Sequence, residues 1–290
     1  MVDHPGQGEA LAVWAVWGVT ALLVVATYTR VPPAETYNVS RDGVAGGLSR
    51  LVTHVNYPIA LAAIALTLVA VAALPPAAWW VAGPAIALCA TVPFVVDQAD
   101  LDAQPANAGP AVGVTAALGL TIAATRRAGS ALQPALPGDP VRAVLAAVAL
   151  VLSLPWLAAL AGFHLPGDLF MGEEPFTTMQ GTPEAAVHLG THHGLYGSLL
   201  LVTALATSRV VPAGRGARVA LLACTAAIAG YGAVNLVQDL WLEQVVKRGW
   251  VDWRIPSALL PGADAITVVW LAVAAVALLL IVREREILRR

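Results

Sequence analysis

The stretch AITVVWLAVAAVALLLIV, Ala265 to Val282, has no charged residue in eighteen positions and is followed at once by Arg283, Glu284, Arg285 and Glu286. An α-helix rises about 1.5 Å per residue, so roughly 20 apolar residues cross the hydrocarbon core of a bilayer. The stretch has no polar face, which suits lipid and not the surface of a water-soluble core. Working outward from it, seven further apolar runs appear: Ala10–Thr27, Leu51–Leu74, Ala77–Val96, Gly109–Thr125, Val141–Gly162, His188–Thr207 and Val219–Leu242. Backbone N–H and C=O groups in lipid have only one another as partners, so each run is expected to be a helix. The expected fold is all-α: a polytopic transmembrane helical bundle of about eight spans, in a single integral membrane domain, 1–290.

Composition points the same way. Of 290 residues, 58% are hydrophobic and 12% charged, against about 25% charged in a soluble domain. Mean hydropathy is +0.74. There is no basic patch with interleaved aromatics, which argues against a nucleic-acid partner. Cys89 and Cys224 each sit inside an apolar run and read as small core residues, not as a disulfide or zinc site. Lys247 is the one lysine beside fifteen arginines, and with the abundant Ala, Gly and Val this suggests a GC-rich bacterial genome. The segment Met1–Glu9 has no Lys or Arg, so the first run reads as an uncleaved span and not as a secretion signal.

Prolines punctuate the chain. Pro75-Pro76 joins the second and third runs in a tight hairpin. Asp139-Pro140 opens the fifth run as a cap followed by proline, and Thr182-Pro183-Glu184 repeats that signal ahead of the sixth. On this reading the sixth helix begins outside the lipid and carries His188 and His192 in its first turns. Pro155 is expected to kink the fifth helix. The stretch 128–138 reads as a cytoplasmic linker between halves 1–127 and 139–290. Two echoes support a repeat: Leu51-Val52-Thr53-His54 with Leu189-Gly190-Thr191-His192, and Val95-Val96-Asp97-Gln98 with Leu236-Val237-Gln238-Asp239.

With both termini cytoplasmic, ten Lys or Arg residues fall inside and six outside, in accord with the positive-inside rule. The expected location is a plasma membrane crossed several times. Two long segments then lie outside, Tyr28–Arg50 and Phe163–Val187. The second carries Asp168, Glu173, Glu174 and Glu184. The outer Arg30, Arg41, Arg50, Lys247 and Arg248 read first as side chains snorkelling to lipid phosphates. They would also suit an anionic lipid or a small anionic substrate.

The strongest chemical signal is His188-x-x-x-His192-His193. Residues at i and i+4 share a helix face, and two imidazoles so placed can hold one metal ion. Along the seventh run Tyr231, Asn235, Asp239, Glu243 and Lys247 recur every four residues, with Gln238 beside them. Ionisable groups in a span are costly and usually face a bundle interior or a wet cavity. His54 and Asp97 fall at the same outer level. His188, His192, His54 and Asp97 are therefore the candidate metal ligands, for a divalent ion such as zinc or iron. Asp239 and Glu243 are the candidate catalytic carboxylates, and Tyr231, Asn235, Gln238 and His193 complete a polar stripe. Each of these residues also has a plain structural reading, as an interfacial polar group, an interhelical hydrogen bond or a cap.

The His188-x-x-x-His192-His193 spacing resembles one histidine box of the membrane di-iron desaturases. Those enzymes need several further boxes, and only His4, His54 and His164 remain here. No Walker loop, dinucleotide fingerprint or Gly-x-Ser-x-Gly elbow occurs. The leading expectation is metal-dependent hydrolysis of a lipid or envelope substrate. The alternatives are an ion- or proton-coupled transporter that uses the stripe, and a non-catalytic scaffold or assembly factor.

Overall fold

The computed structural model describes residues 6–97, 100–167, 169–170, 175–177, 183–185, 187–212, 214–259 and 262–287. His4, Gln98, Asp168, Glu173, Glu174 and Thr182 lie outside the described residues. The chain is mainly helical. Its helices are α1 (Gln7–Arg30), α2 (Gly43–Val71), α3 (Pro76–Cys89), α4 (Pro105–Ala128), α5 (Asp139–Leu152), α6 (Leu154–Leu160), α7 (His193–Thr207), α8 (Arg215–Val246) and α9 (Ala265–Ile287). Two three-residue strands, β1 (Pro175–Thr177) and β2 (Pro183–Ala185), pair antiparallel between α6 and α7.

Five helices, α1, α2, α4, α8 and α9, are long and apolar enough to cross a membrane, and a sixth span is added if α5 and α6 count as one. Of the eight apolar runs, the remaining two give helices that are apolar but shorter, α3 and α7. Apolar composition runs straight through backbone breaks and so hides them. The run Ala77–Val96 is helical only to Cys89 before it breaks at Ala90-Thr91. The run His188–Thr207 is helical only from His193, because Pro183–Ala185 is extended and not the start of a helix.

The expected bend near Pro155 is present. The axes of α5 and α6 differ by 59° across Ser153. A proline at the second position of α6 has no N–H to continue the ladder of α5. At the break the Ser153 N–H and hydroxyl both donate to the Ala149 carbonyl, at 3.1 and 2.7 Å. The bend turns Trp156 fully into the core.

α2 is the central helix, with 83% of its most apolar window buried, whereas the corresponding window of α9 is 6% buried. On α9, Val268, Leu271, Leu279 and Leu280 remain exposed. A helix so apolar and so open to its surroundings fits a lipid environment. Small residues let helices approach closely in such a solvent, where packing replaces the hydrophobic effect. α7 and α8 meet at Gly197 and Gly232: a Cβ on either would lie 2.6 Å from the carbonyl oxygen of the other.

The segment 128–138 is more than a plain connection. Its Gln133 N–H donates to Glu9 Oε1 at 2.8 Å, and Arg209 donates to the Gln133 and Pro134 carbonyls. Arg209 also pairs with Glu9 at 3.0 Å and with Asp139 at 3.1 Å. Arg142 joins Asp139 to Glu284 beside them. These ion pairs tie α1, α5 and α9 together at one end of the molecule.

Candidate metal centre

The opposite end encloses a cavity of about 460 Å³ between α2, α7, α8 and the chain that returns from α8 to α9. Two local distortions shape it. Pro58 in α2 cannot donate to the His54 carbonyl, and the helix widens to a π-helical turn at Val55–Ile59. α8 ends in a second π-helical turn, Leu242–Val246. Tyr57 from the first and Glu243 from the second both line the cavity.

Ahead of α7 the chain is extended. Leu189 N–H donates to the Glu35 carbonyl at 3.1 Å, and Gly190 N–H to the Ala159 carbonyl at 2.8 Å. Gly190 has φ +99, and a Cβ there would collide with the Tyr28 ring. This bend brings His188 and His192 together without a helix. Their rings stack 3.9 Å apart, and Tyr37 stacks on the far side of His188. The expectation that both lie on one helix face is corrected: stacked rings do not aim two lone pairs at one ion. His188 Nδ1 faces the Leu189 carbonyl at 3.0 Å. Burial, and then the neighbouring His192, push His188 well below the ordinary histidine value, so it is neutral and donates there.

The group that could hold a metal ion is His192, Asp239 and Glu243, all buried, each offering one ligand atom within 4.8 Å of the others. The second polar atom of each side chain is anchored elsewhere. His192 Nε2 faces the His188 carbonyl at 2.8 Å, which fixes the proton on that nitrogen. Gly194 N–H donates to Asp239 Oδ2 at 2.7 Å. Trp156 Nε1–H donates to Glu243 Oε2 at 2.9 Å. His192 Nδ1 and Glu243 Oε1 are then left facing each other at 3.3 Å. Two ligands about 2.0–2.1 Å from one tetrahedral zinc stand about 3.3 Å apart. A metal-ligating histidine commonly gives its other N–H to a carbonyl, as here. Burial lowers the His192 pKa, but the Glu243 carboxylate outweighs this and holds it above the ordinary value. The same spacing therefore also accommodates a proton.

His193 begins α7. Its Nε2 lies 2.8 Å from Gln238 Oε1 and 3.0 Å from Asp239 Oδ1. The two oxygens share that one N–H, so Asp239 Oδ1 is buried with His193 as its polar neighbour. Lys247 Nζ lies 3.5 Å from Glu243 Oε1.

The other expected residues are placed elsewhere. His54 is buried behind the cavity wall, with Nε2 3.2 Å from the Thr20 hydroxyl and Nδ1 3.1 Å from Tyr196 Oη. Asp97 is exposed, and the cavity is lined by its neighbour Val96 instead. His164 lies after α6 and does not line the cavity. The stripe stays together on α8, but Asn235 and Tyr231 lie below the cavity. Tyr231 bonds Tyr57 and the Leu259 carbonyl, and Asn235 the Tyr231 carbonyl. In the first sequence echo, Thr53-His54 is helical and Thr191-His192 is extended.

Trp156 was not read from sequence: it was one apolar residue in an apolar run, and its only signal was the adjacent Pro155. Arg50 was read first as snorkelling and second as suiting an anion, and it is 4% exposed. Its guanidinium lines the cavity, donates to Thr191 Oγ1 and the Leu101 carbonyl, and lies 5.5 Å over the Tyr28 ring. Among the described residues no carboxylate forms a salt bridge with it.

Comparison with family models, curated proteins and solved structures yields no match for this chain.

Proposed function

We propose that this protein is an integral membrane enzyme that uses a divalent metal ion at His192, Asp239 and Glu243 for hydrolysis at the outer membrane face. The observation that carries the reading is the convergence of three buried side chains, each anchored by its second polar atom, at the wall of a cavity. Three protein donors leave a fourth position open, the pattern of catalytic zinc and not of structural zinc. Nitrogen and oxygen donors without thiolate also suit iron(II) or manganese. A bound divalent ion supplies Lewis acidity to a substrate oxygen or to water.

The protein's own groups take the remaining work. Trp156 and Gly194 hold the carboxylates in place. His193, with its side chain 23% exposed at the cavity, is placed to carry a proton to and from the reacting atoms. Lys247, beside Glu243, limits the negative charge of the site and favours an anionic substrate. In this reading both termini are cytoplasmic, and the two shorter apolar helices, α3 and α7, complete the passage of an eight-segment chain.

The test is elemental analysis of detergent-purified protein beside the His192→Ala/Glu243→Gln variant. Near-stoichiometric zinc, iron or manganese that disappears in the variant is expected. Metal-free wild-type protein after reconstitution, or equal metal in the variant, would overturn the reading. The transport alternative has no supporting observation, because the stripe closes at Tyr231 on Tyr57 and Leu259.

A further inference from the structure

A second cavity, of about 400 Å³, lies between α8 and α9. Apart from Gln238 its lining is apolar, with Val237 on α8, Val269 and Val273 on α9, and Trp253 on the returning chain. It shares three residues with the first cavity: Gln238, Ile255 and Pro256. Where they meet, Gln238 Nε2–H donates to the Ile255 carbonyl at 3.4 Å, one of four hydrogen bonds from α8 to the returning chain. A polar chamber and an apolar groove thus share a thin wall.

The polar side carries its own requirement. Arg50 is buried, and among the described residues its partners are neutral: Thr191, the Leu101 carbonyl and the face of Tyr28. A buried charge without a counter-charge is costly, so an anion at this point would be stabilising. Arg50 lines the chamber together with Lys247, Arg254, Asp239 and Glu243.

We propose that the two cavities together form the site for one anionic membrane lipid. Its phosphate or carboxylate headgroup lies on Arg50 in the polar chamber, and one hydrocarbon chain lies in the groove between α8 and α9. This rests on the reading above that the chamber is the working site, and it names the substrate class. Charge selects the headgroup, as a guanidinium can donate to two anionic oxygens at once. The groove opens beside α9, the helix with the least buried window, where lipid surrounds the chain. A lipid can therefore enter sideways from the bilayer, with Gln238, Ile255 and Pro256 between head and tail.

The test uses full-length protein in a non-ionic detergent and native mass spectrometry with three probes. These are a single-chain lysophosphatidylglycerol, glycerol phosphate without a chain, and a monoacylglycerol without charge. Retention of the first at least tenfold above the other two is expected. Arg50→Gln and Val269→Trp should each remove most of that retention. Val269 is half-exposed on the surface of α9, so its replacement fills the groove without disturbing the core. Metal content should be unchanged in Val269→Trp.

Equal retention of glycerol phosphate would mean a free-phosphate site and overturn the proposal. Equal retention of the monoacylglycerol, or a Val269→Trp protein that binds lipid as before, would also overturn it. So would a dimer that Val269→Trp splits without loss of lipid, since a second copy would then cover the groove. Metal-free protein that still retains lipid through Arg50 and Val269 would support the lipid site and remove only the metal centre.

Discussion

The Nδ1 atom of His192 lies 3.3 Å from Oε1 of Glu243, and the other polar atom of each side chain is held by a backbone carbonyl or an indole N–H. The two groups cannot turn away from each other without losing those bonds. Something positive must lie between them, either a proton or a metal ion.

Replacement of the histidines one at a time separates this pair from its neighbours. His192→Ala is expected to abolish divalent-metal retention, and His54→Ala to leave it intact. His188→Gln, which removes a stacked ring but no proposed ligand, should leave metal bound with weakened affinity. Elemental analysis of the three purified variants provides the check. Equal loss in His54→Ala would place the ligands elsewhere.

Trp156→Phe removes the N–H that fixes Glu243 Oε2. Loss of such a supporting bond typically costs about 10- to 100-fold in metal affinity. Competition with a chelator should show that drop while circular dichroism shows unchanged helix. Unchanged affinity would mean that Glu243 is positioned by other means.

The contact of α7 with α8 predicts a pair of opposite outcomes. Gly197→Ala or Gly232→Ala puts a methyl group against backbone atoms that cannot give way. A cost of about 1–3 kcal/mol is expected, as for other overpacked sites. Gly18→Ala and Gly83→Ala meet nothing within 4 Å. These should be neutral or stabilising by up to about 1 kcal/mol, because alanine is the better helix former. Thermal unfolding in one detergent decides between the two groups.

Asp102 gives a pH dependence. Burial alone would push its carboxyl up, but the hydroxyl and N–H of Ser40 and the Ser49 hydroxyl outweigh burial and hold it below the ordinary 3.8. A depressed folded value means that the bonds stabilise the protein above pH 3.8 and are lost as pH falls through the lower folded value. The midpoint temperature of the wild type should therefore fall on acidification in this range. Asp102→Asn should begin lower and lack that component. Parallel acid profiles for the two proteins would refute the assignment.

At the other end, Arg209 is bound to the buried Glu9. Arg209→Met strands that carboxylate, at a cost of about 3–5 kcal/mol. Adding Glu9→Gln should restore part of the stability, because the stranded charge is then gone. A double variant no better than the single one would show that the pair is not coupled.

The sequence made the helices legible, since each long apolar run is helical for most of its length. Their breaks were less legible. Apolar residues read the same around Ala90-Thr91 as inside a span, and only Pro155 marked its bend. The site was legible in part. Asp239 and Glu243 stood out because four-residue spacing survives on any helix. His188 and His192 have the same spacing, but they are joined by an extended segment with a left-handed glycine, and periodicity cannot distinguish the two cases. Arg50 was legible only as one of two readings, because an arginine at the edge of a span has the same sequence whether its head reaches water or a buried chamber.

The glycine contact between α7 and α8 also bears on how the centre is held together. His192, His193 and Gly194 lie at the start of one helix, and Asp239 and Glu243 near the end of the other. Helices seated backbone against backbone have no slack to slide or roll, so both halves of the centre travel as a single rigid jaw. The returning chain is tied to α8 by Trp241 at Trp253, Gln238 at Ile255, Asn235 at Ala258 and Tyr231 at Leu259. By the glycine contact His192 and Gly194 are held in fixed register with Asp239 and Glu243, whatever the returning chain does.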